Sequence, residues 1–113
     1  MTNPRLSSSV LVSALLRRVA GDGGFGTVIA KGDANAGAIV IVLAERGRRV
    51  QLLERLLQPD GNYAWGESLK AGQNEEELDR FLDRRRRFDP DLWIVELDTA
   101  SAERFAAEIS GFD

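Results

Sequence analysis

Cysteine and histidine are both missing from this chain. Without a thiol there is no disulfide framework, no cysteine-containing zinc site and no cysteine nucleophile. Without an imidazole every histidine-based triad is excluded, together with the usual proton carrier near neutral pH. Lysine is almost missing as well, since only Lys31 and Lys70 stand among fifteen basic residues. Codon bias toward arginine explains that adequately, although a fork of guanidinium groups could also serve bidentate contacts. Long apolar runs are lacking too. Val10-Leu11-Val12-Ser13-Ala14-Leu15-Leu16 has the length of a signal-peptide core but ends in Arg17-Arg18 with no small-x-small pattern. It is far short of the ~20 apolar residues that span a bilayer. These absences predict a cytoplasmic protein with no membrane contact.

What remains is ordinary globular material. Hydrophobic residues make up 43% and charged residues 29% of 113 positions, enough apolar side chain for one core and too little chain for two. One domain over 1–113 is expected, with 1–6 a frayed lead-in around Pro4. The formal net charge of −3 gives no global pull toward nucleic acid or an anionic surface, so any anion binding must be local.

Along the chain, a helix is predicted from Ser8 to Ala20, capped by one of Ser7, Ser8 or Ser9 and ended by Gly21. Apolar residues cover most of its circumference, more than an ordinary surface helix carries, so it is either buried or in contact with another chain. Glycines from 21 to 26 lead into Thr27–Lys31. The loop Gly32-Asp33-Ala34-Asn35-Ala36-Gly37 then joins that run to Ala38–Ala44 in what reads as an antiparallel hairpin. The second run has seven consecutive apolar residues and should be a central strand covered on both faces. A tight turn at Gly47 leads to Val50–Leu57, whose pattern fits helix or strand; the charged turn before it favours strand. Pro59-Asp60-Gly61 turns the chain into a short edge strand, Asn62–Glu67. A helix over Glu75–Arg87 is announced by Asn74 and Glu77 at capping-box spacing, by glutamates in its first turn and by arginines in its last. Asp89-Pro90-Asp91 stops it. Leu92–Leu97 is a strand, and Ala102, Phe105, Ala106 and Ile109 line a short final helix ended by Gly111. The fold class is α+β: N-terminal helix, an antiparallel meander of three to four strands, helix, strand, short C-terminal helix.

Three stretches carry a family resemblance: Val12-Ser13-Ala14-Leu15-Leu16-Arg17-Arg18, Lys31-Gly32-Asp33-Ala34-Asn35-Ala36-Gly37-Ala38-Ile39-Val40, and Arg85-Arg86-Arg87-Phe88-Asp89-Pro90-Asp91-Leu92-Trp93-Ile94-Val95-Glu96. Together they resemble a domain-of-unknown-function family of short alphaproteobacterial proteins, about as long as this chain. The resemblance implies no activity and no ligand. The segment Gln51–Leu57 departs from it, being more apolar and more charged than a surface hairpin of such a protein would be.

Three constellations could carry chemistry. Arg84, Arg85, Arg86 and Arg87 fan around one helical turn, so two or three could face one phosphate or carboxylate, and Arg46, Arg48 and Arg49 could extend the patch along with Arg17 and Arg18. The plainer reading is that they complement the helix C-terminus and pair with neighbouring aspartates. Asp33 and Asn35 sit in a glycine-bounded loop that could form an anion nest or offer oxygen ligands to a hard cation. It lacks the Lys-Ser/Thr pair of a phosphate loop and the periodicity of a calcium loop, so turn geometry suffices. Tyr63 and Trp65 on an edge strand could stack a base or a proline, whereas Trp93 belongs to a core strand. Glu67, Glu96 and Asp98 near strand ends are not spaced as a catalytic pair. No metal site, catalytic set or cofactor is expected.

The sequence therefore favours a non-enzymatic binding or assembly protein that self-associates, through Leu11, Leu15 and Val19 of the first helix or through a strand edge. The alternatives are an anion- or nucleic-acid-binding protein using its arginines and, less favoured, a metal-assisted hydrolase using Asp33, Asn35 and the strand-end carboxylates. The expected partner is a second copy or another protein.

Overall fold

The computed structural model describes residues 7–69 and 74–109. Its elements run α1 (Ser8–Gly21), β1 (Phe25–Ala30), β2 (Ile39–Glu45), β3 (Arg48–Leu57), β4 (Tyr63–Leu69), α2 (Glu75–Phe88), β5 (Trp93–Asp98) and α3 (Ala102–Ile109). This is the α+β order that the sequence predicts. The strands form one mixed sheet in the order β1-β5-β2-β3-β4.

β2 sits at the centre because both of its faces are apolar. Ile39, Ile41 and Leu43 enter a cluster with Leu11, Val12, Leu15 and Val19 of α1 and Ala102, Phe105 and Ile109 of α3. Val40 and Val42 enter a second cluster with Leu78 and Leu82 of α2. The period-two alternation of a strand thus sends an unbroken apolar run into two cores, one on each side of the sheet. Each large aliphatic chain buried this way contributes about 1.5–3 kcal/mol relative to exposure. α1 is over-apolar for the same reason: its buried side chains face the sheet and α3, and Ser7 caps it by accepting from Val10 N at 3.4 Å.

The expected hairpin between the first two strands does not form. β1 pairs antiparallel with β5, and β5 lies between β1 and β2, parallel to β2. The reason is burial: Trp93-Ile94-Val95 and Leu97 are all buried, so β5 takes the inner position beside β2 and displaces the less apolar β1 to the edge. The meander is therefore β2-β3-β4 alone. Arg46 (φ 53°) and Gly47 (φ 80°) close its first turn with two consecutive left-handed residues, the conformation that matches strand twist in a two-residue hairpin. Asp98 accepts from both turn amides, Arg46 N at 3.1 Å and Gly47 N at 2.7 Å.

Segment 50–57 is a strand, as the charged turn suggested. A bulge between Leu43 and Ala44 in the β2–β3 ladder changes its face parity, so Val50 joins the α1/α3 cluster while Leu52 joins the α2 cluster. α2 starts as predicted: Asn74 Oδ1 accepts from Glu77 N at 2.8 Å, and Asn74 Nδ2 donates to Glu77 Oε1 at 3.2 Å. Gly111, expected to end α3, lies outside the described residues.

Candidate functional site

The Gly32–Gly37 loop is bound into the structure from several sides. Asp33 N donates to Asp91 O at 3.0 Å, and Asp33 O accepts the indole N–H of Trp93 at 2.7 Å. The Asp33 carboxylate turns back on its own loop, accepting from Asn35 N (3.1 Å) and Ala36 N (2.9 Å). The first amides of α1 are taken as well: Ser8 N donates to Asn35 O and Ser9 N to Ala34 O, while the Ser8 hydroxyl donates to Gly37 O at 2.6 Å. Carbonyls, which accept, therefore face the helix N-terminus. Asp33 and Asn35 act in a turn at the N-terminus of α1, and the loop amides of Asn35, Ala36 and Gly37 all donate to Asp33. Among the described residues, no group of three or more acidic side chains could hold a metal ion.

The arginines are divided between the two layers. Arg49 bridges Asp79 of α2 (2.8 Å) and Glu96 of β5 (3.1 Å). Burial draws its pKa down, but the hydrogen bonds and charges of Asp79 and Glu96 outweigh that and leave it above the ordinary arginine value. Arg85 pairs with Glu54 of β3 and lies 5.9 Å from the Phe81 ring. These two fasten α2 to the sheet. Arg84 and Arg46 are exposed. Arg86 and Arg87 meet Lys31 across an open cleft of about 460 Å³, with Asp83 and Asp89 also lining it. Arg18 belongs to the opposite layer, where it pairs with Glu108 at 3.4 Å. Of the arginines singled out, Arg49 and Arg85 are thus held by carboxylates, and Arg87 lines the open cleft. Of the strand-end carboxylates, Glu96 is engaged by Arg49 and Asp98 by the hairpin turn.

Leu11, Leu15 and Val19, expected to be a contact surface, are 0% exposed within their own chain. They are core residues, covered by the sheet and α3, so the first helix offers no association surface through them. The exposed apolar material lies instead on β1, where Phe25 is 65%, Val28 39% and Ile29 38% exposed. β1 is a sheet edge, and its six residues, Phe-Gly-Thr-Val-Ile-Ala, include no charge and no proline.

A second cleft, about 440 Å³, opens on the other side of the molecule between the N-terminus of α1 and the β3–β4 pair. Tyr63 and Asn35 meet there, joined by Arg55 and the apolar Ala36, Ala38 and Ile39. The Arg55 guanidinium lies 4.6 Å from the centroid of the Tyr63 ring. Only the β3–β4 register, with Arg55 opposite Trp65 and Leu57 opposite Tyr63, places the two residues on one face. Trp65 packs partly buried against the α1/α3 cluster, with its indole N–H buried and making no hydrogen bond among the described residues. Trp93 is a core residue, as predicted.

The fold defines a small α+β protein with a five-stranded mixed sheet between one helix and two. The chain belongs to the family described as "Protein of unknown function (DUF1491)", whose model matches residues 6–107. A solution structure of a protein from Agrobacterium tumefaciens is similar at 37% identity and TM-score 0.75, covering 90% of this chain and 92% of the other. A crystal structure of a DUF1491 family protein from Caulobacter crescentus matches at 34% identity and TM-score 0.78, over 89% of this chain and 94% of that one. An NMR structure of a DUF1491 family protein from the same organism gives 34% and 0.78, covering 91% and 94%. Comparison with curated proteins gives no match. The family is one of unknown function, and no helix among the described residues is long and apolar enough to cross a membrane.

Proposed function

We propose that this protein is a cytoplasmic, single-domain assembly module that pairs with a second copy of itself along β1. The observation that carries the reading is the uncharged edge, with Phe25, Val28 and Ile29 all exposed on six residues. Edge strands of monomers are normally blunted by lysine, proline or an inward-facing charge, because unpaired backbone N–H and C=O groups invite strand addition. β1 has none of these three, although its ladder with β5 is interrupted by a bulge between Val28 and Ala30. Antiparallel self-pairing across a two-fold axis would satisfy both open edges at once and set the same apolar side chains against one another. It would join two five-stranded sheets into one. A second copy is favoured over a foreign strand because each subunit then brings its own complement.

Sedimentation of the full chain tests this. A dimer is expected at about 50 μM, a concentration at which associations of micromolar Kd are largely formed. Phe25→Lys with Ile29→Lys should give a monomer with unchanged far-ultraviolet circular dichroism. A wild-type chain that stays monomeric at several times that concentration defeats the proposal, as does a dimer indifferent to both lysines.

A further inference from the structure

The cleft where Lys31 meets Arg86 and Arg87 is built by two elements from distant parts of the chain. In a regular strand Val28 and Ala30 would share one face, but the bulge between them in the β1–β5 ladder turns Ala30 into the α2-side cluster with Leu82 and Leu92. Lys31 follows directly and lines the cleft from the β1 side. On α2, Arg86 and Arg87 stand three and four positions after Asp83, so the three share one side of the helix and line the cleft together. Elsewhere α2 matches its arginines to carboxylates, Arg80 to Glu76 and Arg85 to Glu54. Lys31, Arg86 and Arg87 form no ion pair among the described residues. The volume of about 460 Å³ falls within the roughly 300–1,000 Å³ typical of small-molecule sites.

We propose that this cleft binds a terminal phosphate group, the end of a phosphate monoester or a diphosphate. Such a group carries about two negative charges at neutral pH and three acceptor oxygens. Two guanidinium forks and one ammonium group line the cleft; the forks suit paired phosphate oxygens, and lysine adds a compact charge that fixes no plane. A carboxylate has two oxygens in one plane and would occupy a single fork. A phosphodiester carries one charge and gains less from three cations. Of the two acids in the lining, Asp89 is engaged by the turn that ends α2, accepting from Asp91 N at 3.2 Å. Asp83 is therefore the carboxylate that opposes an anion, and the lining as a whole stays net positive. The C-terminus of α2 also repels anions, with the equivalent of about half a charge, so binding needs all three cations. Ala30 and Pro90 give the organic part of a monoester apolar surface to rest on.

Inorganic pyrophosphate is the probe, titrated at constant ionic strength into the uniformly ¹⁵N-labelled full chain and followed by amide shifts, with acetate and dimethyl phosphate in parallel. Pyrophosphate should produce saturable shifts centred on the amides of Lys31, Arg87 and Asp91. Arg86→Gln and Lys31→Gln should each weaken it about tenfold, as expected for loss of one charge-assisted contact. Arg17→Gln, on the opposite layer, should leave it unchanged. These side chains are exposed, so far-ultraviolet circular dichroism should not change. Asp83→Asn should tighten binding severalfold by removing the opposing charge, a response that a purely structural cluster would not give, and it decides the matter should a Gln variant fail to fold. The proposal is overturned by the absence of saturable shifts, by acetate or dimethyl phosphate binding as tightly as pyrophosphate, by Arg17→Gln weakening binding as much as Arg86→Gln, or by Asp83→Asn failing to tighten it.

Discussion

Gly32→Ala should be among the most damaging single-methyl additions this protein can receive, and its cost follows from the loop geometry. A Cβ at position 32 would stand 2.1 Å from Asp91 O, 2.7 Å from the carbonyl carbon of Leu92 and 2.7 Å from Trp93 Cδ1. Two of those three are backbone atoms, and they are not free to retreat. Leu92 N donates to Asp89 O at 3.1 Å and Trp93 N to Ala38 O at 2.8 Å, which anchors the entry to β5. The loop must therefore move, and in moving it strains Asp33 N to Asp91 O and the Trp93 indole to Asp33 O. Two hydrogen bonds at ~0.5–1.5 kcal/mol each, plus ~1–3 kcal/mol for a buried donor left unsatisfied, give a loss of roughly 2–4 kcal/mol after partial relaxation. For a chain of this size that is a fall in melting temperature of roughly 8–30 °C. The assay is thermal unfolding followed by circular dichroism, with Gly21→Ala as control, since a Cβ there meets nothing within 4 Å. The control should be neutral or stabilising by up to ~1 kcal/mol, because alanine is the better helix former. A Gly32→Ala protein melting within about 3 °C of wild type, against the steep cost expected of backbone overlap, would refute this account of the loop.

Two further substitutions probe how α2 is held. Asn74→Ala removes the oxygen that accepts from Glu77 N and should cost about 1 kcal/mol in a urea titration, the usual loss for an N-cap. Arg49→Gln removes the bridge from Asp79 to Glu96 and should cost about 1–2 kcal/mol, less in high salt. Arg49 has a raised pKa in the folded state, so its contribution is complete below the arginine's unfolded value and is lost only as pH rises through the folded one. The wild-type-minus-variant difference should therefore not decline on that account between neutral pH and mild alkali. A difference that vanishes by about pH 9 would show that the guanidinium is not what secures the helix.

The local elements were legible because their signals are local. A cap at Ser7, a capping pair at Asn74 and Glu77, and six consecutive apolar residues in β2 each depend on neighbours within a few positions. The sheet order was not legible, because it depends on competition between distant strands for the inner positions. The glycine loop between β1 and β2 looks like a hairpin in isolation, and only the greater burial of β5 moves β1 outward. The bulge at Leu43 and Ala44 is equally silent in the sequence, yet it decides which of Val50 and Leu52 meets α2. The same limit applied to the surface. An over-apolar α1 could as well have met another chain as its own, and the choice was made by α3, whose Phe105 and Ile109 share its core cluster. Arg55 went unnoticed because it sits in the middle of a strand, with nothing nearby in sequence to mark it; Asn35 and Tyr63, 20 and 8 positions away, meet it only through the fold.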